Sequence, residues 1–396
     1  MPTDVASLHT ETMTLNMGPQ HPSTHGVLRL VLDLDGETVV RCTPHVGYLH
    51  TGMEKQGESK NYYKFIPTTD RMDYLAPISN NLGYCLAVEK LCGIEVPLRA
   101  QYIRVLLTEM TRIASHLVWL GTHAMDMGAQ TVFLYCFRER EKFLLLQEMI
   151  CGARLTASFV RIGGVMLDMP GGFLEAARQF VDEMPGHIVQ YETLLTKNPI
   201  WLRRTKGVGV LTAAQLKDLS VTGPLLRAAG VKWDLRKARP YSSYDHFDFE
   251  VPTATGGDVF DRYVVRLEEM RQSVRICQQA IAKMPAGPYR SPDSKYVLPP
   301  REDVHSSMEA LIQHFRLVTE GFRPPPGEVY QAVEAPKGEL GYYLCSDGGP
   351  NPYRVHVRGP SFVNLQSLAA MCEGRLVADV VAAIGSIDIV LGEVDR

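Results

Sequence analysis

No Cys-x-x-Cys occurs in this chain: its eight cysteines (Cys42, Cys85, Cys92, Cys136, Cys151, Cys277, Cys345 and Cys372) are scattered, and no two stand three apart. The paired thiolates that hold zinc, iron–sulfur clusters or nickel are therefore missing. The thiols read as small buried groups of a reducing compartment, and the chain is expected to bind no metal of its own. A basic run or arm is also lacking, which argues against nucleic acid as a partner. No uncharged apolar run reaches the roughly 20 residues of a membrane-spanning helix. The best stretch, Leu376 to Leu391, is interrupted by Asp379 and Asp388. Met1 to Thr10 has neither the basic start nor the apolar core of an export signal. No Gly-x-Gly-x-x-Gly follows a strand, so nothing here is built to hold a dinucleotide. Repeats and low-complexity segments are absent too. The expectation is a chain soluble by itself, tied to a membrane only through partners.

What is present suits a chain of two or three modules. It has 396 residues, 45% of them hydrophobic, enough for a substantial core, and a formal net charge of −3 that favours no highly charged partner. The N-terminal part reads as β. A short apolar segment, Met13 to Met17, precedes a strand over Val27 to Leu34, with Leu28, Leu30, Leu32 and Leu34 on one face and Arg29 and Asp33 on the other. Asp35-Gly36 turns the chain into a second strand, Thr38 to Cys42. Between them, Gln20-His21-Pro22-Ser23-Thr24-His25-Gly26 places two histidines and a hydroxyl pair in a loop at a sheet edge, where functional side chains tend to sit. On spacing alone, those histidines serve a turn as readily as a site.

The middle of the chain reads as helix. Tyr48 to Tyr62 suggests a helix broken at or near Gly57, and Tyr74 to Leu91 continues as helix. Leu98 to Met125 has the clearest periodicity, with Ile103, Leu106, Leu107, Met110, Ile113, Leu117 and Leu120 at three- and four-residue steps. Thr131 to Ile150, Phe173 to Leu195 and Val259 to Lys283 are further long helices, separated by Gly and Pro clusters. Helices of similar length imply an antiparallel bundle. Within it, Gly207 to Pro252 is irregular: Val208-Gly209-Val210-Leu211 looks strand-like, Thr212 to Asp218 a short capped helix, and Trp233 to Tyr244 a loop. A stiff connector, Pro324-Pro325-Pro326-Gly327, leads to strands at Val329 to Glu334, Leu340 to Ser346 and Tyr353 to Arg358. The fold class is α+β: a small N-terminal antiparallel β-sheet, a central antiparallel helical bundle with an irregular insertion, and a C-terminal β-hairpin region. The expected modules are 1–65, 66–290 with the insertion at about 200–255, and 291–396, a helix followed by β structure.

Met17-Gly18-Pro19-Gln20-His21-Pro22-Ser23-Thr24-His25-Gly26-Val27-Leu28-Arg29-Leu30 resembles the opening signature of the D-type, or 49-kDa, subunit family of proton-pumping NADH:quinone oxidoreductase, respiratory complex I. The resemblance continues through Pro44-His45-Val46-Gly47-Tyr48-Leu49-His50-Thr51-Gly52, Arg161-Ile162-Gly163-Gly164-Val165 and Trp233-Asp234-Leu235-Arg236-Lys237. Glu334-Ala335-Pro336-Lys337-Gly338-Glu339 and the ending Gly392-Glu393-Val394-Asp395-Arg396 complete it. Only about the first dozen residues fall outside.

The resemblance implies a peripheral-arm subunit on the cytoplasmic side of a bacterial inner membrane. There it would form a quinone headgroup site beside the terminal [4Fe–4S] cluster of the small cluster-bearing B-type subunit. A C-type (30-kDa) subunit and the H-type membrane subunit would be its other partners, and NADH the electron source. The family's headgroup ligands, the Tyr of Arg-Met-Asp-Tyr and the second His of the loop, fall on Tyr74 and His25. The Asp thought to orient that His falls on Asp126, and the Arg beside the cluster on Arg71. The residue types suit the task, because Tyr and His both donate hydrogen bonds at neutral pH and can exchange a proton as quinone becomes quinol. A carboxylate next to imidazole fixes its tautomer, and a guanidinium favours the more negative, reduced cluster.

The same family resembles [NiFe]-hydrogenase large subunits, whose metal is held by two Cys-x-x-Cys pairs. These would fall at Asp73 and Ala76 and at Val390 and Glu393, and all four cysteines are absent, which excludes hydrogen activation. Relatives often carry a His two residues after the Arg matching Arg154, and here Thr156 stands there; a hydroxyl does not titrate near neutrality, so redox–proton coupling at the cluster is expected to be weak. Two other readings compete: a hydrogenase-type metalloenzyme, opposed by the missing thiols, and a scaffold with a vestigial pocket, opposed by the joint presence of Tyr74, His25 and Asp126.

Overall fold

The computed structural model describes residues 12–21 and 25–396, so the expectations for Met1 to Thr10 and for the Ser23–Thr24 hydroxyls lie outside it. Strands β1 (Met13–Met17), β2 (Arg29–Asp35) and β3 (Thr38–His45) form an antiparallel sheet in that order. The alternation of β2 sets its register: Leu15 and Cys42 both pair with Leu32, and Leu28, Leu30 and Leu32 are fully buried.

Helices α1 (Met53–Ser59), α2 (Tyr62–Thr69), α3 (Pro77–Cys92), α4 (Leu98–Asp126) and α5 (Gln130–Cys151) follow. A two-residue ladder, β4 (Val160–Arg161) with β5 (Gly164–Val165), precedes α6 (Phe173–Leu195). The short helices α7 (Pro199–Thr205), α8 (Ala213–Asp218), α9 (Pro224–Ala228) and α10 (Leu235–Ala238) lie between α6 and α11 (Val259–Ala282). Helix α4 packs between α5 and α11, and α6 closes the bundle against α5 and α11. After α12 (Arg301–Ser306) and α13 (Met308–Thr319), strands β6 (Gly327–Ala335), β7 (Gly338–Ser346) and β8 (Arg354–Arg358) form a second antiparallel sheet over α3. The chain ends in α14 (Pro360–Leu365), α15 (Leu368–Cys372), α16 (Val377–Ile387) and α17 (Leu391–Asp395).

Four local expectations differ. The break near Gly57 falls instead at Lys60–Asn61, where the Asn61 side chain accepts from the Lys64 N–H and starts α2. Gly57 lies inside α1 at a close contact, where a Cβ would come within 3.0 Å of Val355 and 3.1 Å of Phe65. The stretch 208–211 is not a strand, since Gly207 and Gly209 take φ of 71° and 58°. Asp234 caps a short helix within the expected loop, its carboxylate accepting from the Arg236 N–H. Finally, helices follow the C-terminal strands and bring the chain back to its start. Residues 374–377 bond the edge of β3, with Val39 N–H to Arg375 O and Gly374 N–H to Val39 O both at 2.8 Å. Leu30, Leu32 and Val39 therefore share a core with Leu368, Ile384 and Leu391.

Helix α4 is buried on every side. Its apolar stripe packs as the periodicity implies, but its polar residues are also inside and are paired there. Arg104 meets Glu89 at 2.5 Å, Arg112 meets Glu109 at 3.2 Å and His116 meets Glu269 at 3.0 Å. Such pairs hold register at a desolvation cost that their geometry offsets.

Candidate functional site

Asp126 is the last residue of α4, and its Oδ2 lies 3.4 Å from His25 Nε2. The contact lacks hydrogen-bond geometry, and neither atom bonds another group among the described residues. His25 takes the left-handed conformation, φ 52°, next to Gly26 at φ 121°. A bridge between His21 and Gly26 closes their loop. One turn before Asp126, His123 is fully buried, stacked on Trp119 at 5.3 Å. Burial first, then the charge of Arg266 and the neighbouring His25, push its imidazole down to about 3, so it is neutral.

Tyr74 sits in the turn between α2 and α3. That turn is fixed by the Asp73 carboxylate, which accepts from the Leu75 N–H at 3.1 Å, and by Pro77 opening α3. Tyr74 is 41% exposed. Desolvation, then the charge of Asp73, raise its hydroxyl above the ordinary tyrosine value while Lys337 opposes, which keeps it a proton donor. Arg71 is exposed and its Nη1 donates to the Pro67 carbonyl at 2.5 Å.

The two loops meet across the C-terminal segment. A Cβ on Gly26 would lie 3.3 Å from Leu391, and one on Gly392 would lie 2.6 Å from the Met72 carbonyl and 2.8 Å from that of Arg71. Leu391-Gly392 is thus wedged between the His25 loop and the Tyr74 turn. Asp395 ties down a further loop, accepting from the N–H groups of Gly47 at 2.8 Å and Leu49 at 2.6 Å. That loop presents Val46, Tyr48 and Leu49 to solvent as an apolar patch.

Three buried groups near these residues went unremarked as such in the sequence: His123, Lys337, 3.1 Å from Asp73, and Asp388, 3.8 Å from Lys337. The signal for His123 was its spacing, three residues before Asp126 on one helix face. The four positions of the absent thiols, Asp73, Ala76, Val390 and Glu393, are all buried. Asp73 lies 3.1 Å from the Lys337 ammonium and Glu393 adds its charge there, and two carboxylates with two apolar residues are a donor set that does not fit nickel. At the other departure, Thr156 has φ 51°, and Arg154 pairs with Glu141 through two bonds of 2.7 Å. Among the described residues, no helix is long and apolar enough to cross a membrane.

These features define a class: an α+β protein with two antiparallel sheets about a helical bundle, in which His25 and Asp126 lie 3.4 Å apart and Leu391-Gly392 touches both the His25 loop and the Tyr74 turn. Residues 126–396 match the family described as respiratory-chain NADH dehydrogenase, 49 Kd subunit. The chain is 58% identical to the D-type subunit of the NADH-quinone oxidoreductase of Geotalea uraniireducens over 387 residues, 98% of this chain and 99% of that one. It is 59% identical to the first D-type subunit of the Solibacter usitatus enzyme over 384 residues, 97% and 94% of the two chains. For the second D-type subunit of the Chloroflexus aurantiacus enzyme the identity is 59% over 390 residues, 98% and 95%. The chain belongs to the 49-kDa subunit family of respiratory-chain NADH dehydrogenase and is one component of a multisubunit NADH-quinone oxidoreductase.

Proposed function

We propose that this chain forms the headgroup site at which quinone is reduced, beside the terminal [4Fe–4S] cluster of a partner subunit. Quinone takes two electrons and two protons, one proton at each carbonyl oxygen. His25 and Tyr74 are the donors at those oxygens, and Asp126 orients the His25 ring. Arg71, exposed on the Tyr74 turn, faces the cluster. The supporting observation is the wedge of Leu391-Gly392, which touches both the loop of the His25–Asp126 pair and the Tyr74 turn.

The cluster belongs to the B-type subunit, the C-type (30-kDa) subunit packs alongside, and the H-type membrane subunit brings in the quinone tail. The assembly places this chain as a peripheral protein on the cytoplasmic side of the bacterial inner membrane, where quinone reduction drives proton translocation elsewhere.

The test is quinone reduction by the assembled complex carrying Tyr74→Phe or, separately, His25→Ala, with NADH oxidation by ferricyanide as the upstream control. Both variants are expected to assemble, keep the ferricyanide rate and lose most quinone reduction. Normal quinone rates in both would assign the headgroup site elsewhere and leave this chain as scaffold.

A further inference from the structure

Behind the Tyr74 turn, four charged side chains meet out of reach of solvent. Lys337, on the turn between β6 and β7, is fully buried. Its Nζ lies 3.1 Å from Asp73 Oδ2 and 3.8 Å from Asp388 Oδ2, and donates to Ser115 Oγ at 3.0 Å. Glu393, on α17, is equally buried. Its Oε2 accepts from the Ser361 N–H at 2.9 Å, while Oε1 meets no donor among the described residues.

Three carboxylates thus share the Lys337 ammonium, with the Arg266 guanidinium adding its charge at Asp388. One carboxylate is left over, and in a low-dielectric interior it carries a proton more cheaply than a charge. Burial raises Asp388 as well, but the Lys337 and Arg266 charges both oppose it, whereas against Glu393 stand Lys337 and the Ser361 bond. Asp73 comes from the α2–α3 turn, Lys337 from the β6–β7 turn and the Tyr342 phenol from β7, while Arg396 bonds the Glu393 main-chain carbonyl at 3.4 Å and the Glu54 carboxylate at 3.1 Å. Burial first and the Asp73 charge second push the Glu393 carboxyl up to about 7, against the Ser361 bond and Lys337. Tyr74 feels the charges of the same two neighbours, Asp73 and Lys337.

We propose that Glu393, Asp73 and Lys337 form an internal proton store that reloads Tyr74 after each proton it gives to the reduced quinone. The proposal rests on the reading of Tyr74 as a headgroup donor. In the step, Tyr74 releases its proton to a quinone oxygen as the complex delivers two electrons to the ring. The O–H bond of Glu393 then breaks, the proton passes by way of Asp73, and the O–H bond of Tyr74 re-forms. Glu393 is left as a carboxylate beside Lys337 until a proton from bulk water restores it. No electron moves within the store. Glu393 touches no quinone and acts through Tyr74, so it is a positioning residue.

The experiment uses the assembled complex carrying Glu393→Gln, with decylubiquinone as acceptor across neutral pH. The store is loaded below 7 and empties above it, so the wild-type rate should fall as pH rises through 7. The variant should keep its ferricyanide rate and its KM for decylubiquinone, lose at least about 10-fold in kcat, and show no inflection near 7. A wild-type inflection and rate in the variant would overturn the proposal, as would a purely structural loss that left the inflection in place. If the variant does not assemble, infrared difference spectra of the wild-type complex decide. A protonated carboxyl band, shifted by isotopic labelling of glutamate, must be present below 7 and lost above it, and its absence overturns the store. Loss of activity in Tyr74→Phe with wild-type behaviour in Glu393→Gln overturns only the store. Normal quinone reduction in Tyr74→Phe overturns the headgroup reading beneath it.

Discussion

Asp126 ends a helix of 29 residues and stands 3.4 Å from His25, a residue on a left-handed turn near the start of the chain. A rigid helix therefore positions the carboxylate, and the loop brings the imidazole to it. Asp126→Asn keeps the shape and removes the charge. It is expected to lower kcat for quinone by about 10- to 100-fold while the ferricyanide rate stays unchanged. Steady-state assays of the assembled complex check this, and an unchanged kcat would remove Asp126 from the site.

Lys337→Met takes the ammonium from between Asp73 and Asp388 and leaves buried carboxylates uncompensated. The expected loss is about 3–5 kcal/mol, the scale for breaking a buried ion pair from one side. The deficit should shrink as pH falls, because carboxylates that have taken up protons need no countercharge. Yield and thermal midpoint of the complex against pH measure it.

Glu393 supplies a stability prediction of opposite sign to the usual carboxylate. Its folded value of about 7 lies above the ordinary 4.5. Below 4.5 both folded and unfolded chains hold the proton, and the group is neutral to stability. As pH rises from there to 7, the folded chain holds a proton that the unfolded chain has lost, so stability falls and stays reduced above 7. Glu393→Gln should remove this penalty, on the order of 3 kcal/mol. The variant gains on the wild type as pH increases, and thermal midpoints on either side of 7 show whether it does.

Gly392 lies against the carbonyls of Arg71 and Met72, where a Cβ would approach to 2.8 and 2.6 Å. Both are main-chain atoms, so Gly392→Ala must push α17 away from the Tyr74 turn. The expected cost is about 1–3 kcal/mol, with a raised KM for quinone out of proportion to the lost stability. A variant of wild-type stability and KM would show that the wedge does not position the turn.

Much of this was legible in the sequence. The alternation from Leu28 to Leu34 and the apolar steps of α4 marked strand and helix because one face of each must be buried, and the Thr212 capping box marked α8. What the sequence hid was long-range. The return of residues 374–377 to β3, the burial of Arg104, Arg112 and His116, and the meeting of Asp73, Lys337 and Glu393 depend on groups far apart in the chain. Local pattern carries no record of such partners, and it reads a charged residue as exposed until its countercharge is in view. The failed strand at 208–211 has a local cause, since its apolar residues alternate with glycines in left-handed conformations.

The most direct measurement is photolabelling of the assembled complex with a quinone carrying a photoreactive headgroup, followed by peptide mapping. The label should fall on peptides containing His25 and Tyr74, compete with unmodified quinone, and drop sharply in Tyr74→Phe. Competable label confined to other subunits, or to parts of this chain remote from Leu391-Gly392, would contradict the assignment of the headgroup site to this face.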